Sequence, residues 1–300
     1  MEDKSIVSIK GFKVKLFKLG GLEVGIAIDV GPRILYLGLV GRGENILEVD
    51  PETGMETPDG YWRLIGGHRL WIAPEEYPRT YSIDDKPVKI SIEENSIVVE
   101  GQPERENNVL KRIKITPGAT SNSLRVIHEV VNIGRWEVKY APWAITVVKP
   151  GGVAIIPVKP LKRDKHGLQA DRVISLWPYT TLSDPRLKFI DNYILVHQDL
   201  GNYNPLKIGA SANPPIIAYY IDKYLFIKKT VFEQGEYPDL GSSVEVYVSS
   251  KYLELETLAP LKLVKPGGIH VHVEEWILIE VGRIELTTSV LDSILNEICG

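Results

Sequence analysis

Sulfur is scarce in this sequence: 300 residues contain two methionines and one cysteine, Cys299, beside the final Gly300. A lone thiol cannot build a disulfide framework within the chain, and it excludes a zinc centre made of several thiolates. Long apolar runs are also missing. No segment approaches the roughly 18 consecutive apolar residues of a membrane-spanning helix, so no membrane partner is expected. Met1-Glu2-Asp3-Lys4 leads into a short alternating run, not the apolar stretch of about 7–15 residues that marks a secretory signal. The expected compartment is therefore the cytoplasm. Nor is there an excess of positive charge. Thirty-five Lys and Arg against 39 Asp and Glu give a formal net charge of −4, which offers nucleic acid no electrostatic footing. The phosphate-cradling glycine loop, the Gly-x-Ser-x-Gly elbow and the His-Glu-x-x-His zinc motif are absent too.

Helical periodicity is nearly absent. What recurs instead is alternation of period two, punctuated by Gly and Pro. Lys13–Phe17 and Leu22–Ile28 read as strands joined at Gly20-Gly21, and Arg33–Val40 follows the Gly31-Pro32 break. Val88–Ile92 and Ser96–Glu100 flank a hairpin turn at Glu93-Glu94-Asn95. Asn108–Thr116 and Leu124–Asn132 form another pair around Pro117-Gly118. The pattern continues through Val138–Val148, Val153–Val158, Tyr193–His197, Ile216–Ile221, Tyr224–Lys229, Ser243–Val248, Tyr252–Leu258 and Ile269–Ile279. Short strands with frequent turns predict an all-β sandwich or barrel rather than βαβ units. One helix is predicted near the end, where Leu291, Ile294, Leu295 and Ile298 share a face and Ser289 with Asp292 resembles a capping box. With no repeat and no flexible tether, one domain over 1–300 is expected. Its longest irregular stretches are 50–63, 161–169 and 200–213.

Gly66-Gly67-His68-Arg69-Leu70-Trp71-Ile72-Ala73-Pro74-Glu75 stands out from this background. Paired glycines allow backbone to approach a neighbour or a ligand closely. An imidazole, a guanidinium, an indole and a carboxylate follow within ten residues. A polar ring-shaped ligand needs that mixture: flat apolar surface for its C–H face and hydrogen-bonding groups at its edge. His68 can equally be a hydrogen-bonded structural histidine, and Arg69 an ion-pair partner. Trp143, within Ala141–Thr146, reads first as a core indole. Trp177 and Tyr179 sit in a proline-interrupted loop, where a ligand explains two aromatics more readily than a core does. Tyr237-Pro238-Asp239 is a turn signature before it is a functional carboxylate. Alternation in Tyr252–Leu258 puts Glu254 and Glu256 on one face, which is either solvated or turned toward ligand hydroxyls. His270 and His272 share a strand face with Glu274, a spacing that can bind metal but is more simply a solvent-facing pair. His128, between Val126 and Val130, reads as a satisfied core histidine. Neither a metal nor a cofactor is called for.

Taken in order, several segments resemble the galactose mutarotase-like (aldose 1-epimerase-like) superfamily. Ala27–Ile34 resembles its opening strand and turn, and Gly43–Leu47 the strand end that follows. Gly66-Gly67-His68 falls where that family has a glycine-rich, histidine-bearing pocket segment. Leu255-Glu256-Thr257 matches the residues around its catalytic glutamate, and Val264-Lys265-Pro266-Gly267 a nearby turn. The resemblance spans nearly the whole chain through short motifs. It implies an antiparallel β-supersandwich with a sugar on its concave face, with Glu256 as the base. The family's acid histidine, near a His-x-Tyr-Phe-Asn-Leu run, is replaced by Ala141–Thr146, so either His68 is the acid, or the site has changed its reaction, or it only binds.

Two expectations follow. One is an isomerase acting at the anomeric carbon of an aldose, with Glu256 as base and His68 as acid. Arg69, Trp71, Glu75, Trp143, Trp177, Tyr179, Asp239 and Glu254 would shape its pocket. The other is a carbohydrate-binding protein that performs no chemistry. A polysaccharide lyase or hydrolase is a third, needing a long cleft. In each case the partner is a sugar.

Overall fold

Alternating sequences bury one face of each strand, and strands with a buried face must find a second layer. A computed structural model describes residues 2–160 and 164–299 and shows how this chain does so. Two large sheets, every pairing antiparallel, stack face to face. The first runs Glu2–Ile9, Phe12–Leu19, Leu22–Ala27, Arg33–Leu39, His68–Ala73, Val138–Val148, Leu253–Leu258, Val244–Val248, Leu206–Ala210 and Ile174–Leu176, with Lys262–Val264 also paired to Val138–Val148. The second runs Leu187–Ile190, Tyr193–His197, Val153–Pro157, Ile216–Ile221, Tyr224–Thr230, Ile269–Glu280, Ser123–Asn132, Val109–Pro117, Ser96–Glu100 and Lys89–Glu93. Of the sandwich and the barrel that the alternation allows, the chain forms the antiparallel sandwich. Among the described residues, no helix is long and apolar enough to cross a membrane.

The main core fills the space between the sheets. Leu37, Leu70, Val148 and Leu255 come from the first sheet, and Ile113, Val126, Phe226 and Trp276 from the second. A smaller apolar cluster lies on the outer face of the first sheet and contains Trp62, Trp71, Trp143, Ile145 and Tyr252. The middle strands of that sheet are therefore covered on both faces. His68–Ala73 and Leu253–Leu258 are buried at every position.

The predicted helix forms over Thr288–Cys299 and lays Leu291 and Leu295 against a third cluster around Ile155, Tyr193 and Leu225. Asp292 is not used as a cap. It accepts a hydrogen bond from the Tyr193 hydroxyl at 2.7 Å and pairs with Lys159. Two stretches expected to be irregular contain strands. Residues 50–63 lie within a hairpin, Val49–Thr57 with Gly60–Gly66, whose register shifts between Asp50 and Gly54. Such a bulge breaks the alternation that would have announced it. Residues 200–213 contain the strand Leu206–Ala210. The third stretch, 161–169, begins in residues outside those described.

Candidate functional site

The outer cluster is not closed over. It surrounds a pocket of about 390 Å³, lined by Trp62, Arg69, Trp71, Glu75, Tyr81, Trp143, Trp177, Tyr179, Lys207, Tyr247, Tyr252 and Glu254, among others. Strand register explains the grouping. Arg69 lies opposite Ile145, Ile145 opposite Glu256 and Glu256 opposite Glu245, one row across four strands. A neighbouring row runs Lys207, Tyr247, Glu254 and Val147. Trp71 sits opposite Trp143, with ring centroids 5.5 Å apart. The hairpin at 49–66 folds over one side and contributes Trp62, 5.6 Å from Trp71 and 5.2 Å from Tyr81.

The charged groups form two knots. In the first, Arg69 Nη2 donates to Glu254 Oε1 at 3.0 Å, and its guanidinium lies 4.3 Å from the centroid of the Trp71 ring. Nε and Nη1 of Arg69, a residue only 2% exposed, are buried and have no hydrogen-bond partner among the described residues. Burial pushes the Glu254 carboxyl up, against the pull of Arg69. In the second knot, Lys207 Nζ stands 2.9 Å from Glu245 Oε2 and 2.9 Å from Glu256 Oε2. It also lies 4.4 Å from the Trp143 ring centroid and 4.7 Å from that of Trp177. Burial alone would lower the Lys207 ammonium, but the two carboxylates hold it well above its ordinary range. Burial also carries Glu245 well above the carboxylate range, opposed by Lys207 and assisted by Glu256. Trp143 Nε1 donates to Glu256 Oε2 at 2.8 Å, leaving Glu256 Oε1 buried without a partner among the described residues.

Seven of the residues singled out in the sequence line this one pocket: Arg69, Trp71, Glu75, Trp143, Trp177, Tyr179 and Glu254. Glu75, at the rim, accepts from the Tyr81 hydroxyl. Glu254 and Glu256 do share a face, but it is buried rather than solvated. Glu256 lies beneath the pocket floor, held by Lys207 and Trp143. Asp239 borders the same knot, where it interacts with Lys207, Glu245 and Glu256. It and Leu240 both have left-handed backbone, φ +50° and +61°, and the Ser175 and Ser242 hydroxyls donate to the Asp239 carbonyl at 2.8 and 2.9 Å.

His68 is placed elsewhere, and its expected role as the pocket acid is corrected. Period-two alternation sends Arg69, Trp71 and Ala73 to the pocket face and His68, Leu70 and Ile72 into the space between the sheets. There His68 Nε2 is 2.7 Å from His128 Nε2, and His68 Nδ1 is 2.9 Å from Thr146 Oγ1. His128 Nδ1 donates to the His272 carbonyl, so its Nε2 must accept the proton of His68. The glycine pair also serves the backbone, not a ligand. A Cβ at Gly66 would meet the Glu48 carbonyl at 2.4 Å, and one at Gly67 the Ile34 carbonyl at 2.3 Å.

His270 and His272 are likewise not solvent-facing; both are buried, as is Glu274. His68, His128 and Glu274 bring potential metal-ligand atoms within 4.8 Å of one another. The cluster nonetheless closes on its own bonds. Lys228 Nζ donates to Glu274 Oε1 at 3.0 Å, the Leu255 carbonyl at 3.0 Å and the Ala144 carbonyl at 3.2 Å. Trp276 Nε1 holds Glu274 Oε2 at 2.7 Å. An ammonium already supplies the positive charge that Glu274 needs. Burial lowers all four of these histidines, with His270 near 4 and His272 near 3, and keeps them neutral.

Lys207 and Glu245 were not anticipated. Val244-Glu245-Val246-Tyr247-Val248 alternates cleanly, so Glu245 and Tyr247 were readable as one face. Lys207 sits in a five-residue strand inside a stretch rich in Asn, Gly and Pro, where the only signal was its apolar neighbours Leu206 and Ile208.

No family profile matches the sequence, and no curated protein matches it. Solved structures do match in shape. A galactose mutarotase-like protein of Lactobacillus casei superposes with a TM-score of 0.56 at 9% identity, covering 89% of this chain and 100% of that one. A provisionally named aldose 1-epimerase of Klebsiella pneumoniae gives 0.55 at 10% identity over 99% and 87%. A TPR-domain containing protein of Parabacteroides distasonis gives 0.57 at 12% identity, over 92% of this chain and 49% of that one. Likeness at such identity establishes architecture alone. The chain has the antiparallel sandwich fold of the galactose mutarotase-like proteins.

Proposed function

We propose that this protein binds a carbohydrate in the aromatic-walled pocket on the outer face of its first sheet. The observation that carries this reading is the guanidinium of Arg69. Two of its donors are buried and, among the described residues, lack partners, and Arg69 itself lines the cavity. Buried donors left unsatisfied are costly, typically by about 1–3 kcal/mol each, and hydroxyl groups of a bound sugar would satisfy them. Trp71, Trp143 and Trp177 offer apolar faces to its C–H surface. A volume of about 390 Å³ suits one ring or little more, which disfavours a polysaccharide-cleaving enzyme with a long cleft.

Binding without turnover is the form best supported. Epimerisation at the anomeric carbon needs an acid and a base facing one ring. His68 faces away from the pocket, and Lys207 holds its proton too tightly to replace it. A catalytic reading keeps one support, the unpartnered Oε1 of Glu256 as base. Its acid would then be Glu254, the pocket carboxyl whose pKa burial raises against the pull of Arg69. Calorimetric titration with a panel of free sugars tests binding, and polarimetry on any sugar that binds tests mutarotation. Saturable heat that Arg69→Ala abolishes supports the first reading. Mutarotation that Glu256→Gln lowers by about 10² to 10⁴ supports the second. No heat with any sugar removes both.

A further inference from the structure

The charges around the pocket are unequal. Among the described residues, five carboxyls, of Glu75, Asp239, Glu245, Glu254 and Glu256, surround it or its floor, against the two cations Arg69 and Lys207. Arg33 and Arg186, nearby, are cancelled by their own bidentate partners Asp84 and Asp184. The excess carboxyls are not drained into solvent, since Glu245, Glu254 and Glu256 are buried and Asp239 is partly so. Burial raises the carboxyls of Glu245, Glu254 and Asp239, and mutual repulsion with Glu256 adds to each. A site that holds spare acid in this way gains when a cation arrives.

The aromatic walls point the same way. The negative face of an aromatic ring attracts cations, most strongly where water is excluded. Here the rings already do so with the protein's own groups, Arg69 over Trp71 and Lys207 over Trp143 and Trp177. Tyr81, Tyr179, Tyr247 and Tyr252 extend the same kind of surface around the cavity. Rings and surplus carboxyls together favour an organic cation, and the free donors of Arg69 require that it also carry oxygen acceptors.

We infer that the ligand of this pocket is an amino sugar, whose protonated amine is held by the surplus carboxyls while its hydroxyls take up the free donors of Arg69. This rests on the carbohydrate-binding reading and adds the charge of the ligand to it. A phosphate or carboxylate on the sugar would meet Arg69 but also the surrounding acids, and is selected against.

The test is calorimetry of the full chain at low ionic strength and pH 7 with matched ligands. These are glucosamine, glucose, N-acetylglucosamine, glucuronate and glucose 6-phosphate, with the same set in the galactose series. The expected result is that an amino sugar binds at least about tenfold more tightly than its neutral counterparts, and the anionic sugars more weakly still. That preference should shrink in Glu254→Gln and Asp239→Asn, while binding of the neutral sugar changes less. Raising the salt should narrow the gap. Equal affinity for aminated and neutral sugars, or tighter binding of an anionic one, overturns the charge assignment and leaves carbohydrate binding standing. Absence of heat with every sugar overturns both.

Discussion

Replacing Lys207 by methionine keeps most of the unbranched stem of the side chain and removes its charge. Its Nζ lies 2.9 Å from Oε2 of both Glu245 and Glu256, and neither carboxyl is exposed at all. Removing one member of a buried pair typically costs about 3–5 kcal/mol, because the partner's charge is stranded. The folded protein avoids part of that cost by protonating the stranded carboxyls. In the variant, Glu245, which burial already raises and which loses the opposing pull of Lys207, binds its proton more tightly folded than unfolded. For such groups stability is retained below the unfolded carboxyl pKa of about 4.3 and is lost as pH rises toward the folded value. The difference in stability between variant and wild type should therefore be small near pH 4.5 and full at pH 8. At about 2 °C per kcal/mol for a chain of this size, the melting temperature at pH 8 should drop by roughly 6–10 °C. Thermal unfolding followed by circular dichroism at both pH values measures it. Adding Glu256→Gln to Lys207→Met should restore part of the loss at pH 8. A deficit of the same size at both pH values, or none at pH 8, would refute the idea that Lys207 is there to neutralise these carboxyls.

Three other outcomes are expected. His68→Ala should lower stability by about 2–4 kcal/mol, by opening a cavity and stripping Thr146 and His128 of a partner, yet leave sugar affinity within about twofold by calorimetry at 15 °C. Because burial depresses the pKa of His68, His128, His270 and His272, the folded protein binds fewer protons than the unfolded chain below about pH 6.5. Urea midpoints should accordingly fall as pH drops from 6.5 toward 4, with a slope of up to about 1.4 kcal/mol per pH unit for each histidine; flat midpoints over that range would mean these imidazoles titrate normally. Gly67→Ala, at φ +64° and with its new methyl carbon 2.3 Å from the Ile34 carbonyl, should destabilise by well over about 1 kcal/mol in the same denaturation assay.

Most strands could be read from the sequence because each buries one face against a second layer, and alternation reports that directly. It failed at the hairpin 49–66, where a bulge shifts the register, and at Leu206–Ala210, which is too short to alternate visibly among Asn, Gly and Pro. The site was legible as a composition, indoles and charges crowded near a glycine pair, but not as a geometry. His68 and Arg69 are neighbours on one strand and cannot both face the same side. Leu70 and Ile72 share the parity of His68, whereas Trp71 shares that of Arg69, so the pattern held the answer without naming which face was the pocket. What no local pattern could supply was the pairing of distant acids with Lys207. That depends on Glu245, Glu256 and Lys207 coming together on three strands whose chain positions span some fifty residues.

The middle strands of the first sheet carry polar groups on both sides. Arg69 and Glu256 face the pocket, while their chain neighbours His68 and Thr257 enter the closed network around Glu274. A slip of one residue along either strand would exchange the two sets, forcing a guanidinium or carboxylate into a compartment whose ion pair, Lys228 with Glu274, is already balanced. Each strand thus has one permissible alignment, enforced from above and below, and the cavity inherits its precision from that lock rather than from any loop around its rim.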